Sequence, residues 1–300
     1  MDDLTGVLRQ LEPCLGTATA GPLPLEGGIT NRNYRVRFGN RDCVVRLPGK
    51  DTALLGISRE GEQCAGRAAA RLGIGPEVLA AASDYVVTEY VASEPMDGAA
   101  LRASPEPVAA ALRSFHDAGI ELPVRFWVPE LLESYARIVA ERGGSVPDAY
   151  ADASRAAARI ATALPLREPV ACHDDLLPAN VLRVATGQGV MLVDWEYAGM
   201  GHRLFDLGNL AVNAEFEEPE ELALLAAYYG EEASPGHRAA LALMRIMSDA
   251  REAAWGVVQS VVSELDFDFE GYAARHFDRM ARAVSGGDFE AWLSEAAAVA

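Results

Sequence analysis

Residues 22 to 90 carry their apolar positions in short β-like runs divided by turn residues. NYRVRF (33–38) alternates apolar and polar side chains, GNRD reads as a turn, and CVVRL (43–47) returns as the partner of a predicted hairpin. The stretch ISREGEQCAGRAAARLGIG has helical composition and a glycine stop, and EVLAA and YVVTEYV read as two more strands. Past SEPMDG the texture changes to Ala- and Leu-rich segments with helical spacing: 105–118, 129–142, 148–163, 218–229, 236–262, 270–283 and 288–299. Strands interrupt them in the 168–194 region. The pattern predicts an α+β protein in two lobes: residues 1–91, a small antiparallel sheet carrying one helix, and residues 92–300, mainly helical.

Bulk properties narrow the picture. Half of the 300 residues are hydrophobic, which suits a globular chain with a large core. The longest apolar runs fall short of the roughly 18 residues a membrane-spanning helix needs. The start, MDDLTGVLRQ, is acidic and lacks the basic and apolar regions of a secretory signal, so a cytoplasmic protein is expected. Four cysteines (Cys14, Cys43, Cys64, Cys172) without CxxC spacing point to reduced, mostly buried thiols. With 26 basic and 44 acidic residues the net charge is -18, which disfavours nucleic acid and anionic membranes and favours a cationic partner. The oligomeric state is left open.

Candidate chemistry concentrates in ACHDDLLPAN (171–180), a polar cluster between apolar segments. VLRVA (181–185) and VMLVD (190–194) flank the turn-like TGQG. A symmetric turn would set position 181 opposite 194 and 180 opposite 195, with directly opposed Cβ atoms about 5 Å apart. Asn180 and Asp194 would then share one end of the hairpin. An amide oxygen and a carboxylate are hard ligands suited to Mg²⁺. Asp175, on the loop feeding the hairpin, is placed to accept a proton from an attacking hydroxyl. His173 reads as a brace for this loop more than as a base. Together His173, Asp175, Leu176, Asn180 and Asp194 follow H-x-D-L-x-x-x-N with a later strand-end Asp, the pattern of kinase-type phosphoryl transfer. Two departures stand out: Asp174 takes the place of the usual arginine, and Trp195-Glu196 follows Asp194 in place of Phe-Gly.

On these residues the chain resembles the choline/ethanolamine kinase family, within the wider group that includes aminoglycoside phosphotransferases. The blocks EGGITNRNYRV, VVRLPG, SREGE, GIGPEV, TEYV, CHDDLLPANVL, LVDWEYAGMGHRLFDLGN and WGVVQ are similar to that family's and in its order. The resemblance implies a protein-kinase-like fold that uses ATP and Mg²⁺ to phosphorylate the hydroxyl of a small amino alcohol, choline or ethanolamine foremost. Asp175 would be the catalytic aspartate, and Asn180 and Asp194 the metal ligands. Arg46 would grip the α- and β-phosphates with Glu62 as its ion-pair partner. Gly27, Gly28, Thr30 and Asn31 would lie over the phosphates, and Glu89, Tyr90 and Val91 would meet adenine. Asp206 and Asn209 look like supports of the catalytic loop, and His116 like a core residue.

For the acceptor, the resemblance points to Trp255 as an aromatic wall for the alkylammonium, with Tyr197, Phe216, Tyr272 and Trp195 as further candidates. Glu252 stands one turn earlier, where choline kinases carry a second tryptophan, so the cage is thinner and more acidic. Glu196, two residues past Asp194, would face the same side if the strand continued, and could bind metal or ammonium. An aminoglycoside, thiamine or another small alcohol is the alternative acceptor. A catalytically silent nucleotide-binding regulator and a metal-dependent hydrolase are weaker readings.

Overall fold

The fold was taken from a computed structural model, which describes residues 2–25, 30–185 and 189–299. The chain begins with helix α1 (Asp2–Leu15) and then enters strands β1 (Leu23–Leu25), β2 (Arg32–Phe38) and β3 (Arg41–Leu47). The predicted hairpin is β2–β3, closed by Phe38 opposite Arg41 around Gly39, whose φ of +59° a residue without Cβ adopts freely. Alternation sends Val36, Phe38, Cys43, Val45 and Leu47 to one face, where Val7 and Leu11 of α1 cover them. This first helix corrects the expectation of a single helix here. Its apolar positions Leu4, Val7, Leu8, Leu11 and Leu15 recur at the i, i+3, i+4 spacing that closes a sheet face.

Helix α2 (Arg59–Arg71) starts where the Ser58 side chain accepts the Gly61 N–H at 3.1 Å. Strands β4 (Val78–Ala81) and β5 (Val86–Glu89) complete a five-stranded antiparallel sheet ordered β1-β2-β3-β5-β4. Strand β6 (Ser93–Pro95) leaves that sheet. It pairs instead with the later hairpin β8 (Val181–Val184) and β9 (Val190–Leu192), while β7 (Val170–Cys172) pairs with β10 (Gly199–Gly201).

The remaining chain is helical: α3 (Gly98–Ala103), α4 (Glu106–His116), α5 (Val128–Glu141), α6 (Asp148–Ala163), α7 (Arg203–Asn213), α8 (Glu218–Tyr229), α9 (Pro235–Val262), α10 (Phe269–Ser285) and α11 (Phe289–Ala296). Every predicted helix of this half is present, and α3 and α7 are additional. Helix α9 is the axis of the core, buried on every side from Ser248 to Gln259 and packed by α5, α6, α7, α10 and α11. Its crossing with α7 depends on Gly208, where a Cβ would come within 2.7 Å of the Met244 carbonyl carbon. Among the described residues no helix is long and apolar enough to cross a membrane.

The β8–β9 register differs from the symmetric one. Val181 faces Leu192 rather than Asp194, because Asp194 takes a left-handed conformation (φ +66°) that ends the strand pairing before it. Glu196 is therefore not on a continuing strand: Trp195–Tyr197 form a 3₁₀ turn against which α2 packs.

Candidate active site

The loop after β7 is held almost entirely by buried hydrogen bonds. Asp206, on α7, accepts the backbone N–H groups of His173 and Asp174, and His116 Nε2 lies 3.0 Å from the same carboxylate. Burial pushes the Asp206 carboxyl up, but the hydrogen bond and charge of His116 outweigh it and hold the group below the usual carboxylate range. Asn209, one turn on, accepts the Leu176 N–H and donates to Ser248 of α9 at 2.8 Å. His116 and Tyr228 are hydrogen-bonded at 2.7 Å. His116, Cys172 and Asp206 lie together, yet the donors already around Asp206 make this a structural knot.

His173 is fully buried and braces the loop. Its Nδ1 accepts the Asp175 N–H at 3.3 Å, which leaves the proton on Nε2, 2.9 Å from the Val193 carbonyl. Its ring rests on Trp195, centroids 4.5 Å apart. Asp174 takes φ +65°, and Oδ2 accepts the Gly199 N–H at 3.2 Å. Burial first, then the neighbouring Asp206, raises its carboxyl well above the ordinary value.

Asp175 is 8% exposed. Burial pushes its carboxyl up to about 8, opposed by Arg251 and assisted by the Glu252, Asp194 and Glu196 carboxylates. Asn180 Nδ2 donates to the Asp175 carbonyl at 2.9 Å, a bond that uses the amide nitrogen and not its oxygen. Asn180 and Asp194 line one cavity of about 480 Å³ between the sheets. Val44, Val78, Leu182 and Met191 give it apolar walls, and Glu89, Tyr90 and Val91 also line it. Arg46 and Glu62 line it as well, paired with each other. Arg46 also pairs with Asp194 and stands 3.7 Å from Glu196, while Arg59 reaches Glu62 at 2.6 Å and Glu196 at 3.6 Å. Asn31 Nδ2 lies 3.5 Å from both Asp194 oxygens and its Oδ1 accepts the Gly49 N–H. Thr30 approaches Gly49, and Gly27 and Gly28 lie outside the described residues.

The donors suit a divalent cation. Two guanidinium groups face three carboxylates (Glu62, Asp194, Glu196), and Glu196 Oε2 is buried without a hydrogen-bond partner among the described residues. An amide oxygen, a carboxylate and surplus negative charge are what Mg²⁺ takes.

The expected acceptor residues gather on α9 and the 3₁₀ turn. Trp255 Nε1 donates to the Tyr197 hydroxyl at 2.9 Å, and its ring meets Tyr272 and Phe269 edge-on. Tyr272 donates its hydroxyl to Glu252 at 2.7 Å. Two of the proposed wall residues stand elsewhere. Trp195 is wedged between His173 and Phe115, with Nε1 on the Leu192 carbonyl, and Phe216 is buried in the helical core. Glu196 faces Arg46 and Arg59. Arg59 and Arg251 are the members that the sequence reading passed over. For Arg251 the signal was positional: with Ser248, Asp249 and Glu252 it interrupts the apolar run of α9, where buried charges must be paired. Of the four thiols, Cys43 and Cys172 are buried, whereas Cys14 is exposed and Cys64 half-buried.

A small antiparallel sheet over a larger helical half, with this loop between them, defines a small-molecule kinase of the protein-kinase-like class. The chain belongs to the phosphotransferase enzyme family, whose pattern matches residues 22–243. Among curated proteins it is similar to probable choline kinase 1 of Arabidopsis thaliana (22% identical; 93% of this chain, 92% of that one) and to ethanolamine kinase 2 of Mus musculus (26%; 91% and 78%). Among solved structures it is similar to a choline/ethanolamine kinase family protein from Mesorhizobium loti, at 30% identity and TM-score 0.84 over 99% of both chains. The choline kinase LicA of Streptococcus pneumoniae shares the fold at TM-score 0.79, 22% identity, over 95% of this chain and 99% of that one.

Proposed function

We propose that this protein uses ATP and Mg²⁺ to phosphorylate the hydroxyl of a small amino alcohol, choline and ethanolamine being the acceptors that its relatives' names carry. The observation that carries the reading is that Asn180 and Asp194 line one cavity with the Arg46–Glu62 pair, while the Asn180 amide is hydrogen-bonded to the Asp175 backbone carbonyl. Arg46 grips the α- and β-phosphates with its planar fork. Asn180 Oδ1 and the Asp194 carboxylate would hold the cation, which would supply positive charge against the phosphoryl groups. Asp175 orients the acceptor hydroxyl and takes its proton. The net charge of -18 favours a cationic acceptor in solution.

A division between lobes near residue 91 belongs to this reading, supported by β6, which pairs away from the first sheet. So does a cytoplasmic location, supported by four free thiols. The test is ADP release from Mg-ATP across choline, ethanolamine, thiamine and aminoglycosides. Acceptor-dependent release with an amino alcohol is expected. Tight Mg-ATP binding without phosphorylation of any alcohol would favour a nucleotide-binding regulator instead.

A further inference from the structure

A cation of the chain's own sits inside the acceptor cluster. Arg251 is 2% exposed, and Nη1 donates to Asp175 Oδ1 at 3.1 Å and to Glu252 Oε1 at 2.7 Å. Its Cζ lies 4.2 Å over the Tyr197 ring. An alkylammonium bound by aromatic faces would need that ring. Glu252, the carboxylate a primary ammonium would seek, is occupied too: Oε1 by Arg251 and Oε2 by the Tyr272 hydroxyl. Two of the features expected to recognise a cation, the Tyr197 ring and the Glu252 carboxylate, are therefore satisfied from within.

What remains unsatisfied has the opposite character. Arg251 Nε and Nη2 are buried and have no hydrogen-bond partner among the described residues. These two nitrogens form one edge of the guanidinium plane, spaced for both oxygens of a single carboxylate. Charged N–H groups left buried without acceptors are costly, so an anionic oxygen pair there would be strongly favoured. A phosphate, with its second charge, would be repelled by Asp175 and Glu252 nearby.

We infer that Arg251 sets acceptor specificity, and that the acceptor is an amino alcohol that also carries a carboxylate, a small hydroxy amino acid. The inference rests on the phosphotransferase reading above and narrows its acceptor. Both free nitrogens are shielded from solvent, so the acceptor reaches them as the covering side chains part. One guanidinium then links the anchored carboxylate to the base, since its Nη1 already holds Asp175. In the transfer the acceptor oxygen bonds to the γ-phosphorus, the bond from that phosphorus to the β–γ bridging oxygen breaks, and ADP departs with its electron pair. The hydroxyl proton goes to Asp175.

Serine and ethanolamine differ by the carboxylate alone, as do homoserine and 3-aminopropanol. Initial rates of ADP release from the full chain are compared within each pair, with choline alongside. At least one hydroxy amino acid is expected to show a KM tenfold or more below its decarboxylated counterpart. R251Q should erase that preference while the KM for ATP changes less than twofold, and R251K, a charge without the fork, should not restore it. Without nucleotide, the same amino acid should raise the melting temperature of the wild type and leave R251Q unmoved. Should R251Q fail to fold, the wild-type pairs and R251K still decide. Preference for ethanolamine or choline, with acceptor KM unaltered in R251Q, would overturn this inference alone. Absence of ADP release with every acceptor would overturn the kinase reading as well.

Discussion

Asp206 pins two successive residues of the catalytic loop, its Oδ2 accepting the His173 N–H and its Oδ1 the Asp174 N–H, each at 2.8 Å. Removing it strands two buried donors and the His116 ring at once. Asp206→Ala is expected to cost about 3 kcal/mol or more of stability. Urea unfolding of the variant beside the wild type measures it, and a loss under about 1 kcal/mol would show that the loop holds itself.

Asp175→Asn preserves shape and removes the proton acceptor. Turnover should fall by roughly 10² to 10⁴, while calorimetric titration with Mg-ATP should give a near-normal affinity. Retained turnover would count against the role assigned to Asp175.

Arg46 meets Glu62 and Asp194 with a planar fork that a lysine ammonium does not reproduce. Arg46→Lys should raise the KM for ATP about tenfold, equivalent to about 1.4 kcal/mol, and leave the acceptor KM within twofold. An acceptor KM that rises instead would move Arg46 to the other side of the reaction.

His202 caps α7 by accepting the Leu204 N–H on Nδ1 at 3.2 Å. Burial, then the positive charges of Arg203 and His116, lowers its pKa from 6.5 to about 4. Since the folded value lies below the unfolded one, its contribution is complete above pH 6.5 and is lost as the pH falls from about 6.5 towards 4. The loss is on the order of 3 kcal/mol. Denaturation midpoints across that range should show it. His202→Asn, a cap that does not titrate there, should flatten that part of the profile.

Periodicity made most of this architecture legible, because β2, β3 and the long helices each bury one face and so repeat at 2 or 3.6 residues. Helix α7 escaped because Gly208 and the buried polar residues Asp206 and Asn209 break its apolar pattern, and each has a non-local reason. Gly208 makes room for α9, and the polar pair serves a loop some 30 positions earlier. The grouping of Asn180 with Asp194 on one cavity, and of Asn180 with Asp175 through a hydrogen bond, was readable from the motif's spacing. Arg251 was not: its partners come from β7's loop, from its own helix and from the turn at Tyr197, a convergence only the folded chain displays.

The same crossing of α7 over α9 is itself open to test. Gly208→Ala would drive a methyl into the Met244 backbone. It should destabilise by about 1–3 kcal/mol, read from the thermal midpoint, and a neutral result would mean that the two helices slide apart readily.

Asn209 clasps the Leu176 amide with its oxygen and the Ser248 hydroxyl with its nitrogen. Ser248 lies one turn before Arg251 on the same rod, so the loop that carries Asp175 and the side chain proposed to select the acceptor are mounted on a common chassis. A lineage that altered its diet by rebuilding that rod would disturb the chemistry along with the taste. Substitutions in the segment between α9 and α10, where the chassis ends, should therefore leave the Asn209–Ser248 clasp in register.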